Sequence, residues 1–484
     1  MQQHGDRLSA VDVSFLAQEG PSSHMHIGAV TVFEGPPPAF EELSDLLRSR
    51  LHLVPRYRHR LATLPLGSGR PLWVDDPDFD LEYHLRQTAL PPPGSWEQLM
   101  NLTSRVFSQQ LDRSKPLWEM WVVEGLDDGR WALISKTHHA LIDGISGVDL
   151  ATVLFDLQPV PRTVEGTGVP WRPRRPPSGV ELLAGGVRGL VRAGLRLSER
   201  AVRAAAHPDR TLHSGVEALE GIGEIVWAGL NPAPETPLNV EIGPHRRFVG
   251  VRNRLDDFKL IKSAFGTTVN DVVLAVVAGA LRGWLRSRGV RTEGLELRAL
   301  VPVSIRAADE HGQLGNRLAV VRGPLPVYIA DPLARLLAVK EAMDGLKESK
   351  QALGAETLAG VQEFAPPTIL AQASRINFST RLFNLIVTNV PGPQIPLYVC
   401  GRELQDVFPV AFLPQRHALA VAIMSYNGSI NFGLLGDFDA LPDIDTIASG
   451  VELEVDALAR LARERRDRDR EREAEEPAGE PAPA

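Results

Sequence analysis

The sequence predicts an α/β protein built as two blocks, and three observations carry that prediction. Short β-branched runs alternate with stretches of helical periodicity over residues 8–157. From Gln158 to Pro177 the chain turns rich in Pro, Arg and Gly, the composition of a linker. The alternation then resumes near Pro237 and runs to Arg463. With 484 residues there is chain enough for one or two large cores. A content of 43% hydrophobic and 23% charged residues is globular, neither disordered nor collagen-like.

In chain order, a short helix precedes the β-rich run Ala29-Val30-Thr31-Val32-Phe33, which stops at Glu34-Gly35-Pro36-Pro37-Pro38. Phe40 to Leu53 has helical spacing. So does Trp96 to Asp112, with Leu99, Leu102, Val106, Phe107 and Leu111 on one side. Leu117 to Glu124 and Trp131 to Thr137 read as strands paired around Asp127-Asp128-Gly129. Ile145 to Leu157 reads as a helix. In the second block, Leu255 to Ala264, Thr268 to Arg286 and Leu333 to Leu353 read as helices. Leu295 to Val303, Leu318 to Gly323, Ile386 to Val390, Ala418 to Tyr426 and Ile430 to Leu435 read as strands. Ile444 to Arg463 reads as a last helix, and 463–484 as a solvated or disordered charged tail.

Charge and cysteine content narrow the function. The net charge is 52 − 60 = −8, which argues against nucleic acid as partner. The one cysteine, Cys400, rules out a disulfide framework and a Cys-cluster zinc site; it reads as a small buried apolar residue. Met1 to Arg7 has no basic-then-apolar pattern, so no secretory signal is expected. The longest apolar runs, such as Val272 to Leu281, are about half a membrane span. Gly179 to Ala206, within the linker 158–236, sets Arg188, Arg192, Arg196, Arg200 and Arg203 opposite Leu183, Val187, Leu190, Val191, Leu195 and Val202. This basic amphipathic pattern has two readings, a helix packed on the protein or a contact with a lipid surface.

The strongest chemical signal is Thr137-His138-His139-Ala140-Leu141-Ile142-Asp143-Gly144, between a predicted strand and a predicted helix. Histidine titrates near neutrality and suits a general base. Neighbours in extended chain point to opposite sides, so one histidine serves as base and the other positions it, unless the chain bends there. Gly144 permits a tight turn. A metal reading lacks an obvious third ligand. A structural reading, in which the histidines satisfy local hydrogen bonds, also stands for each residue alone.

His138-His139-x-x-x-Asp143-Gly144 resembles the active-site motif of the CoA-dependent acyltransferases, which include chloramphenicol acetyltransferase and peptide-synthetase condensation domains. Pro116-Leu117-Trp118, Asn270-Asp271 and Asn389-Val390-Pro391-Gly392-Pro393 resemble motifs of the bacterial wax ester synthase/diacylglycerol acyltransferase family. Leu8 to Phe15, Val301 to Arg306 and Gly315-Asn316-Arg317 look familial too. The resemblance covers about residues 6 to 462, with the motifs in the family's order.

The resemblance implies two similar chloramphenicol-acetyltransferase-like halves, 1–157 and 237–462, each a mixed sheet with helices, with the active site in a channel between them. It implies a long-chain acyl-CoA donor, used as substrate with no cofactor or metal. The acceptor is diacylglycerol or a long-chain alcohol, and the setting is cytoplasmic, peripheral on the inner face of a membrane or on a lipid droplet. His139 would be the general base and His138 its neighbour in the catalytic motif. Asp143 would brace the loop through Arg306, which could otherwise be a solvated charge at a strand end. Asn270 would contact substrate or stabilise an oxyanion, or else cap a helix; Asp271 shares both readings. Trp118 would be a fold residue or line the substrate channel. Asn389, Pro391 and Gly392 would form a rigid supporting turn at the interface. A carrier-bound donor, or a non-catalytic lipid-binding relative, are the alternatives.

Overall fold

Strands with alternating apolar residues organise the first block. The computed structural model describes residues 6–63, 70–141, 153–162, 171–175, 181, 232–304, 318–348 and 379–475. This block contains β1 (Asp6–Arg7), α1 (Ala10–Gln18), β2 (His26–Phe33), α2 (Phe40–Arg50), β3 (His59–Ala62), β4 (Leu72–Asp75), α3 (Leu81–His84), β5 (Leu85–Ala89), α4 (Trp96–Ser108), β6 (Trp118–Glu124) and β7 (Trp131–His138). The second block contains β8 (Arg246–Arg254), α5 (Leu255–Phe265), α6 (Val269–Ser287), β9 (Leu297–Ser304), β10 (Leu318–Leu325), α7 (Pro332–Glu348), β11 (Leu385–Pro391), β12 (Tyr398–Val399), β13 (Arg402–Val410), β14 (Leu419–Tyr426), β15 (Ser429–Asp437) and α8 (Ile444–Glu475).

Among the described residues these strands form two six-stranded sheets, in the orders β12-β13-β2-β7-β6-β5 and β10-β9-β11-β14-β15-β8, and a small three-stranded sheet, β1-β4-β3. Both are mixed: β5 runs parallel to β6, and β11 parallel to β9 and β14. The sheets do not respect the order of the blocks. β13, from the second block, pairs antiparallel with β2 and extends the first sheet. One apolar core accordingly joins Val30, Val32 and Phe107 to Phe408, Phe432 and α6, and the other joins Trp118 and Leu133 to Leu404 and Val407.

Polar side chains reinforce the junction. β8 is an edge strand, which leaves backbone donors to be paired. Ser104 and Ser108, a turn apart on α4, accept hydrogen bonds from the N–H groups of Phe248 (2.9 Å) and Arg246 (2.8 Å). The buried Arg246 guanidinium donates to the carbonyls of Gly243, His245 and Ser22. Arg50, also buried, grips both carboxylate oxygens of Asp156 at 2.9 Å and the carbonyls of Val153 and Leu154 at 3.0 Å. Asp156 in turn pairs its backbone with Tyr398 of β12.

Helix α6 is apolar all round from Val272 to Leu281 because it is buried all round there. Its position in the core accounts for so apolar a sequence. Among the described residues no single helix is long and apolar enough to cross a membrane. The turn from β14 to β15 uses Asn427 and Gly428, both at positive φ (40° and 84°), the backbone a two-residue hairpin turn requires. Helix α8 runs past Arg463 to Glu475, where the sequence suggested a disordered tail. Arg, Glu and Ala favour helix, Arg463 donates to Asp257 of α5 at 2.6 Å, and Arg465 lies over Phe265. The stretch Gly179 to Ala206 (apart from Glu181) and most of Ile145 to Leu157 lie outside the described residues.

Candidate active site

The site begins where β7 ends. The 3₁₀ turn His139–Leu141 starts directly after His138, so the chain bends between the two histidines. Strands on either side fix that bend through the backbone. The His138 N–H donates to the carbonyl of Leu117, just before β6, at 2.9 Å, and the His139 N–H to the carbonyl of Met25, just before β2, at 3.0 Å. Met25 holds a left-handed backbone (φ 51°), uncommon for a bulky side chain and characteristic of functional sites. Pro116-Leu117-Trp118 therefore acts on the histidines through the β6–β7 ladder.

The two rings have different surroundings. His138 is buried, and its Nδ1 accepts a hydrogen bond from the Ala140 N–H at 3.0 Å. A ring nitrogen that accepts carries no proton, so the proton sits on Nε2. That atom faces Glu19 Oε2 at 3.6 Å. The other carboxylate oxygen of Glu19 lies 3.7 Å from Nε2 of the buried His26, and Arg113 Nε donates to Glu19 at 2.6 Å. Burial opposes ionisation of Glu19, but His138 and Arg113 outweigh it and hold the carboxyl below its usual range. The ring of His138 is thus held in one orientation.

His139 is half-buried. Its ring stacks on Phe15 of α1 (centroids 3.9 Å apart, 24° between planes) and meets Phe412, just after β13, edge-on (5.6 Å, 89°). Phe15 comes from the first block and Phe412 from the second, which puts His139 at their junction. Helix α1 is set by a capping box in which Ser9 Oγ accepts from the Asp12 N–H and Asp12 accepts from the Ser9 N–H. Burial, and then the neighbouring His138, push the His139 imidazole down to about 4; a hydrogen bond of the ring to its own backbone works the other way. At neutral pH His139 is an unprotonated imidazole, the form a general base needs.

The remaining sequence candidates fall elsewhere. Trp118 is 1% exposed, stacks on His84 (4.6 Å) and donates from Nε1 to the Tyr57 carbonyl at 2.8 Å. Its placement, at the start of β6, is that of a core residue. At the start of α6 the N-cap is Thr268, not Asn270. Asp271 closes that capping box: it accepts from the Thr268 N–H at 2.8 Å while Thr268 Oγ1 accepts from its own N–H at 3.1 Å. Half-buried Asn270 is left without the capping role, one residue before a buried carboxylate. Asn389 and Pro391 lie on β11 opposite Ile423 and Ser425 of β14. Gly392 follows; a Cβ there would meet the Ser425 carbonyl oxygen at 2.2 Å, so the turn requires glycine. This turn ends β11 and begins the crossover that carries β13 into the first sheet. Asp143, Gly144 and Arg306, and the segment Gly315-Asn316-Arg317, lie outside the described residues. Cys400 is buried at positive φ, and burial pushes its thiol up to about 12, which excludes it as a nucleophile.

With this geometry in place, two family descriptions match the chain. "Wax ester synthase/diacylglycerol acyltransferase catalytic domain" covers residues 8–273, and "WS/DGAT C-terminal domain" covers residues 314–459. The chain belongs to the wax ester synthase/diacylglycerol acyltransferase family. It is an acyltransferase of that family. The Mycobacterium tuberculosis protein named "Probable diacyglycerol O-acyltransferase tgs1" is 34% identical over 460 residues, 94% of this chain and 96% of that protein. The solved wax ester synthase/diacylglycerol acyltransferase of Marinobacter aquaeolei VT8 is 30% identical, with a TM-score of 0.66 over 94% of this chain and 100% of its own. The first condensation domain of the calcium-dependent antibiotic synthetase shares the fold at 18% identity, with a TM-score of 0.56 over 95% of this chain. The two-half acyltransferase fold expected from the motifs is the one observed.

Sequence reasoning missed Glu19, Met25 and Phe412. Phe15 sits within the familial opening segment, which gave no hint that it would meet His139. Nothing local marks the other three, because the β2–β7 register and the β13 crossover bring them in.

Proposed function

We propose that the protein transfers a long-chain acyl group from acyl-CoA to the hydroxyl of diacylglycerol or of a long-chain alcohol, with His139 as the general base. The placement of His139 carries the reading: an unprotonated imidazole at the end of a central strand, between an aromatic ring from each block. In the proposed reaction His139 takes the acceptor's hydroxyl proton. The oxygen attacks the thioester carbonyl, the carbon–sulfur bond breaks, and the proton passes to the departing thiolate of CoA. Phe15 and Phe412 exclude water from the ring and keep it a free base. Glu19, His26 and Arg113 fix the ring of His138, whose Nδ1 sets the Ala140 N–H and with it the turn that presents His139. Asp143 and Arg306 are proposed to brace the far side of that turn, and Asn270 to contact substrate. The apolar products suggest work at the periphery of a membrane or a lipid droplet.

The test is release of free thiol from palmitoyl-CoA by the purified protein, with diacylglycerol, with hexadecanol and with neither. Release is expected only with an acceptor, and the faster acceptor names the product. Equal release in all three arms, or none in any, contradicts the reading.

A further inference from the structure

We propose that Ser23 is a positioning residue for the reaction: by holding the Leu413 carbonyl it fixes Phe412 against the ring of His139. The proposal rests on the reading of His139 as the general base. Ser23 lies in the connection from α1 to β2, residues 19–25, which meets the histidine turn at both of its ends. At the first end, Glu19 donates its backbone N–H to the carbonyl of Phe15 (3.2 Å) and sets its carboxylate against His138. At the other, the Met25 carbonyl receives the His139 N–H. Between them the chain is closed into a turn. The Gly20 N–H donates to the Ser23 carbonyl at 2.8 Å, and Gln110 donates to the Gly20 carbonyl at 2.7 Å.

From this turn Ser23 reaches the second block. Its side chain is fully buried, and Oγ donates to the Leu413 carbonyl at 2.8 Å, across 390 residues of chain. The bond falls where the second block needs a donor. β13 pairs with β2 as far as Val410, opposite Gly28. Beyond that point the chain leaves the ladder yet stays buried through Pro414, so its carbonyls must find partners elsewhere. Ser23 supplies one. Phe412 is thereby held between two fixed points, the ladder at Val410 and the bond at Leu413. Its ring meets His139 at 5.6 Å and Phe15 at 5.8 Å, edge-on to both. Without the hydroxyl, the buried Leu413 carbonyl loses this donor, and the segment recovers a hydrogen bond by turning toward water. Phe412 moves with it, and water reaches the ring of His139.

The test follows the His139 ring by NMR in full-length protein with labelled histidine, its signal assigned by its loss in His139→Ala. Thiol release gives kcat alongside. The charge that acts on the ring among the described residues is that of His138, with Glu19, His26 and Arg113 behind it. Ser23→Ala alters none of the four, so a shifted titration reports solvent at the ring. The midpoint, near 4 in the wild type, is expected to rise by about one pH unit or more in Ser23→Ala. The accompanying loss in kcat is expected to be about tenfold. Phe412→Leu should move the midpoint the same way. Adding Ser23→Ala to it should change little more, because Ser23 acts through Phe412. A wild-type midpoint already near the ordinary 6.5, an unmoved midpoint in Ser23→Ala, a full second shift in the double variant, or a Ser23→Ala protein that does not fold overturns the proposal. The titration is read without turnover. A protein that shows the low midpoint and its rise but releases no thiol therefore counts against the catalytic reading and not against the placing of Phe412.

Discussion

His139→Ala is expected to lower acceptor-dependent thiol release by about 10²–10⁴-fold, the usual cost of losing a general base. The loss should fall on kcat, because the ring acts on the reacting hydroxyl rather than on the bulk of either substrate. The fold should survive. The contacts of the His139 ring are with Phe15 and Phe412, and its backbone bond to Met25 is independent of the side chain. The assay is single-turnover thiol release at saturating palmitoyl-CoA, with circular dichroism as the folding control. A variant that keeps more than about a tenth of wild-type rate would remove His139 from the chemistry.

Arg50→Met is expected to cost stability on a scale of about 3–5 kcal/mol, because it leaves Asp156 buried with its charge largely uncompensated. The effect reaches beyond the pair. Asp156 is bridged to Tyr398, so the loss loosens the point where the crossover to β13 meets the first block. A drop in the urea midpoint of the transition that reports Trp118 and Trp131 measures it. The double variant Arg50→Met/Asp156→Leu should recover a large part of the loss, since removing both charges is far cheaper than removing one. A single variant as stable as wild type would contradict the account of this junction.

What the sequence made legible was local. The strands around Asp127-Asp128-Gly129, helix α4 and helix α6 follow from periodicity and caps, and the observed bounds differ from the expected ones by a few residues. The two histidines and Pro116-Leu117-Trp118 were legible as motifs, and their backbone link follows from one β-ladder. What escaped depends on long-range pairing. β8 reads as polar and charged because it is an edge strand, its free donors met by two serines of α4. β13 carries Pro409, which argues against a strand in the middle of a sheet. It is tolerated because Pro409 is paired on one side only: it stands opposite Ala29 of β2, while β12 on the other side pairs only as far as Glu403. Since β13 delivers Phe412 to His139, missing the strand meant missing half of the aromatic clamp. Of the two readings of Asn270, the capping one falls for a simpler reason: Thr268 with Asp271 three residues on forms the capping box.

The central claim is that His139 works as a base kept unprotonated by burial, and the pH dependence of kcat/KM tests it most directly. The sign follows from the direction of the shift. Only the unprotonated ring accepts the hydroxyl proton, and with its titration pushed down to about 4 that form persists well into the acid range. The account predicts a kcat/KM that is level on its acid side from about pH 7.5 down to about pH 5.5 and falls only as the pH nears 4. Tryptophan fluorescence at each pH guards against acid unfolding, since burial also holds His26, His84 and His417 below their ordinary range and makes the fold lose stability as the pH drops below about 6.5. An acid limb with an apparent midpoint near 6.5, in protein that remains folded, would contradict the claim: the group that titrates would then be an ordinary, solvated histidine rather than the ring clamped between Phe15 and Phe412.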